Sequence, residues 1–178
     1  MTITNKKILI IGGARSGKTA FSLDIGRSLM QNAQGLYVAT GEARDDEMAQ
    51  KIKLHQAERG DNWDTLEEPV EIVTKLQKLD KNYGVVLIDC LTLWTSNLIE
   101  RRGGKEEEYF NELYKWLRDA QQNVVIVTNE VGLGIVPGNS VARKYRELLG
   151  RLNQGIAKIA DEVYVVIAGL SMKLKGGE

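Results

Sequence analysis

The part of this sequence that most constrains its fold is an apolar run followed by a glycine-rich turn and a helical pattern. The run is KILII at residues 7–11, and GGARSGKT follows at residues 12–19. These eight residues fit the pattern G-x-x-x-x-G-K-[ST], in which backbone N–H groups surround a phosphate at the start of a helix. The next segment, TAFSLDIGRSLM, is compatible with such a helix. We therefore predict a strand, a phosphate-binding loop and a helix in this order.

Two side chains of the loop are expected to act on a bound nucleotide. Lys18 would bridge the terminal phosphates of a nucleoside triphosphate, and the hydroxyl of Thr19 would bind Mg²⁺. Such a site also needs a carboxylate at the end of a neighbouring strand to hold the metal or its waters. The apolar run VVLID ends in Asp89, which we predict to be this carboxylate. An aspartate at that position can alternatively be only a helix cap.

Apolar runs and helical patterns alternate along the whole chain. Runs rich in Val, Ile and Leu, typical of strands buried on both faces, cover residues 7–11, 35–40, 85–89, 124–128 and 163–168. Helical patterns cover residues 17–31, 45–59, 70–79, 105–122 and 140–160, with a less regular helix from 91 to about 101. This alternation predicts a doubly wound α/β fold with a parallel sheet. The length of 178 residues fits one domain, residues 1–178.

Charge and hydropathy exclude several partners. The chain has 24 Lys and Arg residues against 24 Asp and Glu residues, so no net field attracts nucleic acid or an anionic membrane. Arg101 and Arg102 with Lys105 are predicted to lie in a solvated loop. The longest apolar run, at residues 164–170, is too short for a membrane span, and the first residues do not form a signal peptide. We therefore expect a cytoplasmic location. The single cysteine, Cys90, cannot form an internal disulfide.

The only histidine, His55, lies in the charged helical pattern at residues 45–59. On a helix it shares one face with Met48, Ile52 and Arg59. This pattern alone favours a half-buried histidine that hydrogen-bonds to the backbone. A zinc site is disfavoured because zinc needs three or four ligands and no other histidine or nearby cysteine is available. The functional alternatives are a nucleophile or a general base, because imidazole is mostly neutral at pH 7.

Several motifs together resemble one enzyme family. They are GGARSGKT, DDEMAQKI with His55 three residues later, the spaced residues Trp63, Thr65, Glu67 and Pro69, then TNEVGLGIVP and LNQGIAKIADEVYVVIAG. This set resembles the bifunctional adenosylcobinamide kinase and adenosylcobinamide-phosphate guanylyltransferase of cobalamin biosynthesis. The resemblance spans essentially the whole chain.

The resemblance implies a RecA-like P-loop fold with a mostly parallel sheet flanked by helices, and a homotrimer. It also implies two successive reactions that use ATP or GTP with Mg²⁺. First, a nucleoside triphosphate phosphorylates the aminopropanol hydroxyl of adenosylcobinamide. GTP then donates GMP to adenosylcobinamide phosphate, which gives adenosylcobinamide-GDP and pyrophosphate.

The resemblance also assigns residues by position. His55 matches the guanylylated histidine of the family and is expected to be catalytic. The catalytic role of Lys18 and the metal-binding roles of Thr19 and Asp89 are expected from the phosphate-loop pattern described above. The implied nucleotide contacts are Gly12, Gly13, Ala14, Arg15, Ser16, Gly17, Lys18, Thr19, Thr40, Gly41, Glu42, Gln56, Ala57, Glu58, Arg59, Glu67 and Asp89.

Other functions share parts of this pattern. A signalling GTPase is disfavoured because the fourth predicted strand continues into TNEVG, which is not the N-K-x-D element that reads guanine. A P-loop kinase of small molecules without nucleotidyl transfer is one alternative, in which His55 is structural. A nucleotide-gated binding module related to recombination ATPases is another. The loop GLGIVPG at residues 132–138 follows a predicted strand, where α/β proteins place ligand-contacting backbone.

Overall fold

The computed structural model describes residues 5–30, 32–42 and 59–177. The strands are β1 (Lys7–Gly12), β2 (Gly35–Ala39), β3 (Trp63–Glu67), β4 (Val85–Asp89), β5 (Asn123–Asn129), β6 (Glu162–Ile167) and β7 (Leu170–Lys175). The helices are α1 (Lys18–Met30), α2 (Ile72–Leu76), α3 (Leu91–Arg102), α4 (Glu106–Asp119) and α5 (Ser140–Ile159).

The strands form one sheet in the order β3-β2-β4-β5-β1-β6-β7. All neighbouring pairs are parallel except β6 and β7, which are antiparallel. The predicted α/β fold with a mostly parallel sheet is therefore confirmed. In such a sheet the carboxyl ends of the parallel strands meet at one edge, where ligands of open α/β folds bind.

The strand residues alternate between two apolar layers, one on each face of the sheet. In β1, Ile8 and Ile10 pack in the layer that contains Leu23 of α1. Leu9 packs in the opposite layer, which contains buried residues of α2, α3, α4 and α5. Successive strand residues point to opposite faces, so a strand covered on both sides must be apolar at every position. This is why the central strands were recognisable as continuous apolar runs.

The sequence analysis missed β3 and β7, which lie at the two edges of the sheet. Along β3, with the sequence WDTLE, Trp63 is buried and the residues after it are exposed or half-buried. The residues of β7, LSMKLK, are all exposed. Because an edge strand is not covered like a central one, neither segment carries a continuous apolar run.

The predicted helix over residues 70–79 is shorter in the structure, where α2 covers only Ile72–Leu76. A turn precedes it, because the side chain of Glu68 accepts hydrogen bonds from the backbone N–H groups of Val70 at 2.9 Å and Glu71 at 2.8 Å. The carboxylate thus satisfies N–H groups that a longer helix would leave without partners. Of the predicted helix over residues 45–59, only Arg59 lies within the described ranges.

Arg101 and Arg102 are exposed to solvent, as predicted, but both lie in the last turn of α3 and not in a loop. Arg101 pairs with Glu42, and Nη2 of Arg102 lies 3.3 Å from Oε1 of Glu71. No helix within the described ranges is both long and apolar enough to cross a membrane.

Candidate active site

The segment between β1 and α1 forms a tight loop around the start of the helix. Gly17 has a φ of 95° and Arg15 a φ of 54°, both in the left-handed region where glycine is least strained. At Gly12, a Cβ atom would lie 2.4 Å from the carbonyl oxygen of Val166, so a side chain there would collide with β6. The geometry thus explains both glycines of the G-x-x-x-x-G pattern.

Two neighbouring connections hold this loop in place. The N–H of Gly169, in the turn between β6 and β7, donates to the carbonyl oxygen of Ser16 at 2.8 Å. The N–H of Glu130, directly after β5, donates to the carbonyl oxygen of Gly12 at 3.2 Å. Gly169 ends one of the motifs that carry the family resemblance, but its contact with Ser16 was not predicted, because that contact is made by a backbone group and depends on the position of β7.

Lys18 is the first residue of α1, and only 8% of its surface is exposed. Its ammonium group donates to the carbonyl oxygen of Gly13 and to Oγ of Ser16, the latter at 3.4 Å. Burial lowers the pKa of Lys18 from its ordinary value, against the opposing effects of Cys90 and Asp89. A buried ammonium group is costly unless it is paired, so this position favours an anionic ligand.

Asp89 ends β4, and the structure corrects its predicted position in the sheet. It was expected on a strand next to β1, but β5 lies between β1 and β4. Because α1 packs over β4 and β5, Thr19 in its first turn still reaches this carboxylate. Oγ1 of Thr19 lies 3.5 Å from Oδ2 of Asp89. The alternative that Asp89 only caps α3 is wrong, since Cys90 occupies the N-cap position.

Tyr37 of β2 was not identified from the sequence, although it contacts Asp89 directly. Its hydroxyl donates to Oδ2 of Asp89 at 2.6 Å. Burial, followed by the negative charge of Asp89, raises the pKa of Tyr37 well above its ordinary value. The hydroxyl therefore keeps its proton and remains a donor to the carboxylate over the whole physiological pH range.

The predicted nucleotide contacts Thr40, Gly41 and Glu42 directly follow β2, at the same edge of the sheet as the phosphate loop. Thr40 is fully buried, and its hydroxyl exchanges hydrogen bonds with the backbone of Cys90 at 2.7 and 2.8 Å. These bonds tie the end of β2 to the end of β4. Thr40 therefore has a structural function at this position, whereas Glu42 is half-exposed and pairs with Arg101.

Two further predicted contacts lie near β2 and β3: Arg59 packs against a side chain of β2, and Glu67 ends β3. Arg59 is 6% exposed, and its guanidinium lies 3.9 Å from the centre of the Tyr37 ring. Glu67 is the last residue of β3. The predicted nucleophile His55 and the predicted contacts Gln56, Ala57 and Glu58 lie outside the described residues.

The loop at residues 132–138 follows β5 and extends into solvent. Leu133 is 92% exposed and Ile135 is 97% exposed. Two arginines of α5 hold the backbone of the loop: Arg143 donates to the carbonyl oxygens of Pro137 and Gly138, and Arg146 donates to that of Gly132. The loop is therefore fixed at its two ends while its apolar side chains remain exposed. Its predicted contact with a ligand stays a prediction.

The donor groups at the start of α1 fit a magnesium ion and a nucleotide. Thr19 and Asp89 present oxygen atoms 3.5 Å apart, and oxygen is the donor that Mg²⁺ prefers. The glycines leave the loop backbone open to a phosphate, and the ammonium of Lys18 lies within the same loop. The site therefore combines a phosphate cradle with a place for a divalent cation.

This fold and this site define a P-loop nucleotide-binding protein of the RecA-like class. The crystal structure of a KaiC-like protein from Pyrococcus horikoshii has a similar fold, with a TM-score of 0.55. It is 19% identical in sequence, and the similarity covers 90% of this chain and 70% of that chain. At this identity the comparison supports the fold alone.

Sequence comparison identifies the family. The family described as cobinamide kinase / cobinamide phosphate guanyltransferase matches residues 8–174. The bifunctional adenosylcobalamin biosynthesis protein CobP from Pseudomonas aeruginosa is 38% identical, over 94% of this chain and 96% of that protein. CobU from Escherichia coli is also 38% identical, over 94% of this chain and 99% of that protein. The chain therefore belongs to this family, as its motifs predicted.

Proposed function

We propose that this chain catalyses two successive reactions in adenosylcobalamin biosynthesis. In the first, the terminal phosphoryl group of ATP or GTP passes to the hydroxyl of adenosylcobinamide. In the second, GMP passes from GTP to the phosphate of adenosylcobinamide phosphate, which releases pyrophosphate. Family membership supports the kinase and guanylyltransferase activities, and the geometry around Lys18 supports a single nucleotide site for both.

The observation that carries this proposal is the arrangement of Lys18, Thr19 and Asp89. The buried ammonium of Lys18 lies in a loop whose backbone is open to phosphate, and the two oxygen donors lie beside it. When bound between Thr19 and Asp89, Mg²⁺ would neutralise charge on the phosphate oxygens. Lys18 can bind the terminal phosphates and stabilise the negative charge that develops on them during either transfer.

The kinase step needs no protein nucleophile. The substrate hydroxyl attacks the terminal phosphorus and gives up its proton to solvent, the new O–P bond forms, and the bond to the leaving nucleoside diphosphate breaks. The contribution of this chain is to bind the triphosphate through its loop and to stabilise charge through Lys18. Both contributions come from residues that the structure describes.

For the second step we propose that His55 attacks the α-phosphorus of GTP. A P–N bond forms, the bond from the α-phosphorus to the bridging oxygen breaks, and pyrophosphate leaves. A phosphate oxygen of adenosylcobinamide phosphate then attacks the same phosphorus, and the P–N bond breaks. Neutral imidazole can attack without a base to deprotonate it. Support comes from the family resemblance, since His55 lies outside the described residues.

Labelled GTP tests this mechanism directly. We expect label to remain on the protein after incubation with α-labelled GTP and not with γ-labelled GTP. The adduct should be labile in acid and stable in base, as a phosphoramidate is. The His55→Asn variant should lose the adduct and GMP transfer, while it still phosphorylates adenosylcobinamide.

The controls separate this mechanism from a simple kinase. A chain that phosphorylates adenosylcobinamide but never retains α-label would be a kinase without nucleotidyl transfer. An acid-labile GMP adduct on His55→Asn would assign the nucleophile to another residue. Adduct formation should also decline as the pH falls below the histidine pKa, ordinarily about 6.5, because the protonated imidazole has no free electron pair.

We also propose that the protein is a homotrimer and that it works in the cytoplasm. The family resemblance supports the trimer. The exposed apolar side chains of β7 support a protein–protein interface there: Leu170 is 77% exposed, Met172 62% and Leu174 60%. Sedimentation at micromolar concentration should give the mass of three chains, and a monomer would contradict the proposal.

A further inference from the structure

Strand register places Tyr37 where its hydroxyl meets Asp89. Tyr37 of β2 is paired with Leu87 of β4, and Leu87 lies two residues before Asp89. Paired residues of adjacent strands share a face of the sheet, and so do residues two apart on one strand. The side chain of Tyr37 therefore lies on the same face as the carboxylate and extends toward the strand ends that form the candidate site.

The hydrogen bond between the two side chains has the geometry of a strong one. The hydroxyl of Tyr37 donates to Oδ2 of Asp89 at 2.6 Å, within the range of about 2.5–2.7 Å for hydroxyl donors to a carboxylate. Tyr37 is 5% exposed, and a buried hydroxyl without a partner would be destabilising. Oγ1 of Thr19 lies 3.5 Å from the same oxygen, so the short bond from Tyr37 is the stronger restraint on the carboxylate.

The ring of Tyr37 is itself held on two sides. The Arg59 guanidinium lies 3.9 Å from the ring centre. The Trp63 ring meets it edge-on at 6.4 Å with an angle of 88° between the planes. Arg59 also donates from Nη2 to Oγ1 of Thr65 at 3.3 Å, which ties this clamp to β3. The hydroxyl therefore has little freedom to leave Asp89.

We propose that Tyr37 is a positioning residue that holds the Asp89 carboxylate in the orientation in which it binds Mg²⁺ or its waters. The inference rests on the proposed metal role of Thr19 and Asp89. Tyr37 acts through Asp89, as outer partners of metal ligands do when they orient the ligand. A neutral hydroxyl suits this task because it fixes the carboxylate without cancelling the charge that attracts the cation.

The Tyr37→Phe variant tests the proposal because it removes the hydroxyl and keeps the ring. Phenylalanine retains the packing against Arg59 and Trp63, so the variant should fold, and thermal unfolding checks this. Titration with Mn²⁺, followed by electron paramagnetic resonance in the presence of a non-hydrolysable GTP analogue, measures metal affinity. We expect about 10-fold weaker Mn²⁺ binding, the lower end of effects from outer partners of metal ligands. Binding of the analogue without metal should not change.

The chain offers a matched control in Tyr83→Phe. The hydroxyl of Tyr83 also donates to an aspartate, Oδ2 of Asp64 at 2.9 Å. This pair lies at the opposite ends of the strands, beside the amino end of β4 and at the start of β3. Tyr83→Phe should leave Mn²⁺ affinity unchanged. An equal loss in both variants would overturn the proposal, because it would reflect a general effect of removing a tyrosine hydroxyl.

Asp89→Asn separates failure of this inference from failure of the proposed metal site. If Asp89→Asn weakens Mn²⁺ binding and Tyr37→Phe does not, the positioning role is wrong and the metal site stands. If Asp89→Asn has wild-type Mn²⁺ affinity, the metal site itself is wrong. In the Asp89→Asn background, Tyr37→Phe should cause no further loss, because the two side chains act as one unit. A full 10-fold further loss there would overturn the proposal.

Discussion

Two tyrosine–aspartate pairs lie at opposite ends of the parallel strands, in different environments. At the carboxyl ends of the strands, Asp89 accepts hydrogen bonds from the hydroxyls of Tyr37 and Thr19. At the amino ends, Asp64 accepts from the hydroxyl of Tyr83 and from the ammonium group of Lys81, the latter at 2.6 Å. One carboxylate is thus held by hydroxyl groups, and the other is bonded to a cation.

The difference shows how similar pairs can serve separate purposes. The hydrogen bond from Lys81 lowers the pKa of Asp64, and both side chains are well exposed, 50% for Lys81 and 40% for Asp64. Their attraction is screened by water and contributes little stability. At Asp89 the donors are hydroxyl groups, which orient the carboxylate without cancelling its charge. The proposed cation site requires this combination.

The largest expected effect comes from removing Lys18, and Lys81, at the amino ends of the strands, provides the matched comparison. Lys18→Ala should lower both phosphoryl and guanylyl transfer by at least about 100-fold to 1,000-fold, on the scale of a lost transition-state contact. Lys81→Ala removes a lysine of the same charge from the surface pair and should leave both rates unchanged. Rates of both transfers in the two purified variants check this. Guanylyl transfer that survives in Lys18→Ala would contradict the single nucleotide site.

A smaller effect is expected from adding a methyl group to one glycine at each end of the strands, Gly12 at the carboxyl end of β1 and Gly84 before the amino end of β4. The Cβ of Gly12→Ala would lie 2.4 Å from the carbonyl oxygen of Val166, and that of Gly84→Ala 2.8 Å from the carbonyl oxygen of Met30. Each variant should lose about 1–3 kcal/mol of unfolding free energy, as overpacked sites do. Denaturant unfolding measures this loss.

Nucleotide binding then distinguishes the two glycine variants. Gly12→Ala should also lose nucleotide affinity, because the clash lies inside the phosphate loop. Gly84→Ala should bind nucleotide normally at temperatures where it is folded. Normal nucleotide affinity in Gly12→Ala would show that the loop does not need the close approach to β6.

The smallest effect concerns the pH dependence of the surface pair. In the folded chain the pKa of Asp64 lies below its ordinary value of about 3.9. The pair therefore adds stability above that pH, and this stability is lost as the pH falls through the folded-state pKa. Asp64→Asn should lower the free energy of unfolding by less than about 1 kcal/mol at pH 6 and by almost nothing at a pH below the folded-state pKa of Asp64. Urea unfolding at these two pH values measures the loss. A loss of several kcal/mol at pH 6 would contradict a screened pair.

Local sequence signals predicted those parts of the molecule that depend on neighbouring residues in the chain. The phosphate loop follows from the glycines and Lys18 between a strand and a helix. Asp89 follows from the apolar strand that it ends. The central strands follow from continuous apolar runs, because burial on both faces leaves no polar position.

The parts that could not be predicted depend on the order of strands in the sheet. That β5 lies between β1 and β4 is not visible in any local pattern. The contact of Tyr37 with Asp89 requires β2 to pair with β4 in one register, and the residues are 52 positions apart in the chain. The anchoring of Ser16 by Gly169 likewise depends on the turn that leads into an edge strand.

The hydrogen bond from Gly169 to Ser16 links the turn between β6 and β7 to the backbone of the phosphate loop. Exposed turns are among the parts of a protein that open most easily, and their amide hydrogens then exchange with solvent. The turn between β6 and β7 cannot move away from the loop without breaking the hydrogen bond from the N–H of Gly169 to Ser16. If a nucleotide binds this loop as proposed, it should raise the free energy of that opening and slow hydrogen exchange at the amide of Gly169.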